Sequence, residues 1–91
     1  GSIAGRKVLA GSIYGATKWA ITGYGQNLRE ELRDDGVKVT LIEPGMVDTP
    51  FFDQRKPDAM QADDVAGAVL YAISQPENVL TGEIWIEPMK R

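Results

Sequence analysis

Gly36-Val37-Lys38-Val39-Thr40-Leu41-Ile42-Glu43-Pro44-Gly45 is the stretch that decides the fold. Positions 37–42 are β-branched or apolar apart from Lys38, the composition of a strand buried within a sheet. Glu43-Pro44-Gly45 is expected to stop it, and Gly36 before it is placed to end a preceding helix in the left-handed conformation. Upstream, from Ser12 onward, Ala16, Trp19, Ala20, Gly23, Asn27, Leu28, Glu31 and Leu32 recur at steps of three and four, which predicts a helix that Ser12 can cap. Gly15, Gly23 and Gly25 inside that helix cost up to ~1 kcal/mol each relative to Ala, so close packing against that face is expected to compensate.

Working outward, residues 1–11 are rich in small residues and read as a loop. Residues 46–61 hold two prolines, adjacent Phe51 and Phe52 and no sustained period, so they predict a long connection of the kind that is usually functional. Ala62 to Gln75 reads as a second helix, with Asp63 and Asp64 in its first turn and Val65, Val69, Leu70 and Ile73 on one stripe. Glu83-Ile84-Trp85-Ile86-Glu87 alternates as a strand closed by Pro88. The order loop, helix, strand, loop, helix, strand is the α/β alternation of a parallel sheet with helical crossovers. Two strands make a poor sheet, and the strand at 37–42 needs a neighbour that these residues do not supply. The sequence therefore reads as the end of a larger doubly wound parallel-sheet domain, with residues 1–91 forming a single partial domain.

Composition narrows the function. The 91 residues are 43% hydrophobic and 25% charged, with a formal net charge of −3, which disfavours binding to a phosphate backbone. The chain contains neither Cys nor His, excluding thiol nucleophiles, Ser-His-Asp triads and the usual zinc sites. No apolar run approaches the ~18 residues of a membrane span, and the start lacks the layout of a signal peptide, so the default compartment is cytoplasmic. Asp34-Asp35 and Asp63-Asp64 read as helix-end charges, and no metal is expected. Any acid–base chemistry falls to carboxylates, Tyr or Lys.

Tyr14 and Lys18 are four residues apart near the start of the long helix, so both side chains leave the same face. A free phenol titrates near ~10, and a fixed positive charge beside it favours the phenolate, which makes such a pair a workable acid–base device. By itself the pair more often means an anchored ring beside a solvated amine.

The wider pattern adds weight. Ser2-Ile3-Ala4-Gly5, then Tyr14-Gly15-Ala16-Thr17-Lys18, then the strand followed by Pro44-Gly45-Met46-Val47-Asp48-Thr49 resembles the carboxy-terminal half of a classical short-chain dehydrogenase/reductase over nearly the whole chain. The resemblance implies the carboxy-terminal part of a Rossmann-type sheet, and hydride transfer between NAD or NADP and a small alcohol or carbonyl. It makes Tyr14 the acid–base residue, Lys18 its electrostatic partner and a ligand of the nicotinamide ribose, and Ser2 the residue that holds the reacting oxygen. Pro44, Gly45, Val47 and Thr49 match the loop that walls the nicotinamide, and residues 46–61 match the substrate lid. The family's glycine-rich phosphate loop does not occur among these residues, so the isolated chain is expected to be inactive without an amino-terminal half. Trp19 and Trp85 are expected to fill a core or interface. The long helix resembles the one that pairs subunits in the family, so a homo-oligomer is an expected partner. Two other readings remain: a non-catalytic interaction module that keeps the packing surfaces, and a half-fold that self-assembles to complete one sheet.

Overall fold

A computed structural model describes residues 1–6, 13–48 and 58–90. A 3-10 turn, Ile3–Gly5, comes first, followed by helix α1 (Ile13–Arg33), strand β1 (Leu41–Pro44), helix α2 (Ala62–Ile73) and strand β2 (Glu83–Ile86). The opening residues are thus not all loop. Ser2 caps the turn, its Oγ accepting from the Ala4 N–H at 3.1 Å, and this local bond explains the departure.

α1 ends as its sequence predicts. The helix gives way to a turn after Arg33, and Gly36 adopts φ +75°, the left-handed region that glycine enters without strain. The Ser12 cap lies outside the described residues.

The strand is displaced from its expected position. β1 covers Leu41–Pro44 rather than 37–42, because pairing extends only as far as β2 does. The two strands are parallel, with Leu41 opposite Glu83 and Pro44 opposite Ile86. The Leu41 N–H donates to the Gly82 carbonyl at 3.0 Å and the Gly45 N–H to Ile86 at 2.8 Å, which brackets the ladder. Pro44 does not stop it, since a proline at the end of a strand forfeits only its own N–H. Ahead of the ladder, Thr40 Oγ1 reaches the Thr81 carbonyl at 2.7 Å and Lys38 Nζ the Pro76 carbonyl at 2.7 Å, so side chains hold residues 38–40 where backbone pairing has not begun.

The core is small and lies where α1, the first turn and β1 meet. Ala4, Gly5, Thr22, Gly25, Leu41 and Glu43 are buried there. A Cβ on Gly5 would lie 2.6 Å from the Lys18 carbonyl oxygen and one on Gly25 would lie 2.5 Å from Leu41 Cδ2, so both glycines permit a close approach. Gly23 does not share this role: a Cβ there would meet nothing within 4 Å.

α2 starts with the Asp64 carboxylate accepting from the Gln61 N–H at 2.8 Å. Its apolar stripe is only partly covered, with Leu70 62% and Ile73 74% exposed. Trp19 and Trp85 are not core residues either. Both remain at least 40% exposed, and Trp85 Nε1 donates to Glu87 Oε2 at 2.5 Å.

Candidate functional site

Helical spacing sets the Tyr14–Lys18 pair. Lys18 Nζ sits 5.2 Å from the centroid of the Tyr14 ring, within the range of a cation–π contact. Tyr14 is 58% exposed. Among the described residues neither the Tyr14 hydroxyl nor the Lys18 ammonium has a hydrogen-bond partner, so both are available to a ligand. The Lys18 carbonyl accepts from Thr22 Oγ1 at 3.1 Å, and Thr22 is buried against Gly5. This packing joins the Ser2 turn to the helix at the level of Lys18.

Ser2 is held differently from Tyr14. Its oxygen accepts from Ala4, which leaves its own O–H free to donate. No hydrogen bond joins Ser2 to Tyr14 among the described residues.

At the end of β1, Gly45 has a structural reason of its own. A Cβ there would lie 3.1 Å from Glu87 Cβ and 3.2 Å from Pro88 Cδ, so the glycine admits the chain leaving β2. Its N–H is spent on Ile86. Val47 pairs with Met60 in a parallel bridge: the Met60 N–H donates to Met46 and the Asp48 N–H to Met60. The N–H and C=O of Val47 itself take no part in those bonds and have no partner among the described residues. The ends of the 46–61 connection are thereby tied together. Thr49, Phe51 and Phe52 lie outside the described residues.

One cluster escaped the sequence reading. Glu43 is fully buried, and neither of its carboxylate oxygens has a hydrogen-bond partner among the described residues. Burial pushes its pKa above the ordinary carboxylate value, the facing Glu83 adds to that, and Arg6 opposes it. Arg6 Nε lies 3.5 Å from Glu83 Oε2 and 4.0 Å from Glu43 Oε2. Gln26 Nε2 donates to the other Glu83 oxygen at 2.7 Å. The available signal was strand alternation: Glu43 shares a face with Leu41, which places a carboxylate on the buried side.

Among the described residues there is no group of His, Cys, Asp or Glu that could hold a metal ion, and no helix is long and apolar enough to cross a membrane.

Residues 1–60 match the family model described as short chain dehydrogenase. The chain belongs to the short-chain dehydrogenase family. An uncharacterized oxidoreductase of Staphylococcus epidermidis is 47% identical over 83 residues, an alignment covering 86% of this chain and 35% of that protein. The crystal structure of serine dehydrogenase from Escherichia coli superposes with a TM-score of 0.83 at 34% identity, over 100% of this chain and 38% of that one. A closed form of serine dehydrogenase complexed with NADP+ gives a TM-score of 0.81 at 28% identity, over 100% and 43%. The chain spans 35–40% of the length of the curated relatives it matches. Together these make it an α/β piece of an oxidoreductase fold, as the alternation of its elements implies.

Proposed function

We propose that these residues are the carboxy-terminal part of an NAD(P)-dependent oxidoreductase acting on a small alcohol or carbonyl, with Tyr14 as acid–base residue and Lys18 as its partner. The observation that carries this reading is the Lys18 ammonium over the Tyr14 ring, with the polar ends of both side chains uncommitted. When bound, the nicotinamide supplies or accepts the hydride. Tyr14 gives its hydroxyl proton to the carbonyl oxygen in reduction and takes the alcohol proton in oxidation. Lys18 sets its positive charge over the ring from which the proton leaves, and its N–H groups can reach a ribose hydroxyl. Ser2 donates its free O–H to the same substrate oxygen.

The residues present fit the nicotinamide half of the cofactor. Val47 offers the carboxamide an N–H and a C=O that have no partner among the described residues, and Pro44 and Gly45 form the strand end beside it. Thr49, which lies outside the described residues, is assigned its hydroxyl role by its match to the family's loop alone. Residues 46–61 make up the substrate and nicotinamide loop of a single partial domain. The adenosine side falls to an amino-terminal half.

Two assays test this. The 91-residue chain alone is expected to show no NAD(P)H-dependent carbonyl reduction, and turnover by it would overturn the division of labour. In the enzyme completed with an amino-terminal half, Tyr14→Phe is expected to lower kcat by about 10²-fold or more, the lower range of a lost general acid–base residue. Retained turnover would overturn the role of Tyr14.

The exposed stripe of α2 favours a second reading, in which the chain is a non-catalytic interaction or self-assembling module. That reading expects dimers in sedimentation of the chain and indifference to Tyr14→Phe.

A further inference from the structure

Arg6 stands where the first turn, α1, β1 and β2 converge. It ends the turn led by Ser2, its N–H donating to the Ile3 carbonyl at 2.8 Å. Its guanidinium lies 5.6 Å from the centroid of Trp19, the residue after Lys18. Its Nε faces Glu43, which directly precedes Pro44-Gly45 on β1, and Glu83 at the start of β2. One side chain therefore touches the Ser2 turn, the helix of Tyr14 and Lys18, and both strands.

The burial of Glu43 gives that convergence its consequence. A buried carboxylate that faces a second carboxylate, here Glu83, depends on a nearby cation, because water cannot solvate it. Among the described residues, the charged side chains acting on Glu43 are Arg6 from the first turn and Glu83 from β2. On α1, Gln26 is neutral and bound to Glu83, while Arg29 is engaged with the Gly82 carbonyl at 3.2 Å. No charged group of α2 contributes among the described residues. Among the described residues, Arg6 is thus the side-chain cation on which the buried charge relies.

We propose that Arg6 is a positioning residue: by holding the buried Glu43 carboxylate, it couples the Ser2 turn to the strand end carrying Pro44 and Gly45, so that two walls of the site move as one body. The proposal rests on the catalytic reading for what those walls serve, but the coupling itself is measurable without turnover. The experiment follows the backbone amide NMR signals of Gly5 and Gly45 against pH in the 91-residue chain.

In the unaltered chain both signals should shift on one curve with one midpoint, reporting Glu43. Glu43→Gln should abolish that curve at both positions. Arg6→Met should move the common midpoint to higher pH, since the opposing positive charge is gone, and Arg6→Lys should return it towards the original value. Separate midpoints, or a curve that survives Glu43→Gln, would overturn the coupling. A role confined to packing would change both signals in Arg6→Met without a shared pH curve. Should Arg6→Met fail to fold, the unaltered chain, Glu43→Gln and Arg6→Lys still decide the matter. Failure of the catalytic reading shows separately, as turnover retained by Tyr14→Phe in the completed enzyme.

Discussion

The two helices of this chain meet the same sheet on different terms. α1 buries Gly15, Thr22 and Gly25 and brings its backbone close to the Ser2 turn and to Leu41. α2 has the more apolar sequence yet buries no residue fully, and its Leu70 and Ile73 face solvent. Hydrophobicity does not decide which helix is held. Close approach does, because small residues let backbones meet at distances where dispersion contacts are dense, whereas an apolar stripe gains little until something covers it.

The most direct way to break this comparison is to add one methyl group on each side of it. Gly5→Ala would drive a Cβ into the Lys18 carbonyl and Thr22 Oγ1, and backbone cannot swing aside as a side chain can. The expected loss is about 1–3 kcal/mol, as for overpacking elsewhere. In a chain of this size, thermal melts should fall by roughly 4–8 °C for each kcal/mol lost. An unchanged melt would mean that α1 and the first turn are not closely packed.

Glu43 provides the next test, on the polar side of the same junction. Its pKa is raised by burial first and by Glu83 second, so the folded chain keeps a proton that the unfolded chain has already released. Between the unfolded and folded values, stability therefore falls as pH rises, and above the folded value the full cost of burying the charge is present. Glu43→Gln should match the parent chain in acid, below the unfolded carboxylate range near ~4.3, and become the more stable of the two at neutral pH. Denaturant melts across pH measure the divergence; a variant less stable than the parent at neutral pH would show that the Arg6 contact outweighs desolvation.

Gly23 and Gly67 test the opposite sign. One lies in each helix, and a Cβ at either would meet nothing within 4 Å. Alanine there should stabilise the chain by about 0.5–1 kcal/mol through helix propensity alone. The set Gly5, Gly23 and Gly67 thus separates glycines that packing requires from glycines that it does not.

That division also marks how far the sequence could be read. Both helices, both strands and the left-handed Gly36 follow from periodicity and turn chemistry, which are local. The displacement of β1 from 37–42 to Leu41–Pro44 does not, because a strand ends where its partner ends, and that partner lies some 40 residues away in sequence. For the same reason the sequence treated Gly23 and Gly25 alike although only Gly25 meets Leu41. At the site, Tyr14 and Lys18 were legible because one helical turn brings them together. Arg6, Glu43 and Glu83 were not, since three distant segments must fold before their charges meet.

The smallest expected effect concerns the uncovered side of α2. Ile73→Lys places a charge at a position that is 74% exposed, so it forfeits little buried surface. The change should stay within about 0.5 kcal/mol in the 91-residue chain, the usual range for a surface substitution. The same substitution in a protein completed by an amino-terminal half should cost several times more if that half covers the stripe. Equal small effects in both would show that α2 is solvent-facing in the whole protein as well. The contrast between the helices would then be intrinsic to their sequences rather than a consequence of what packs on them.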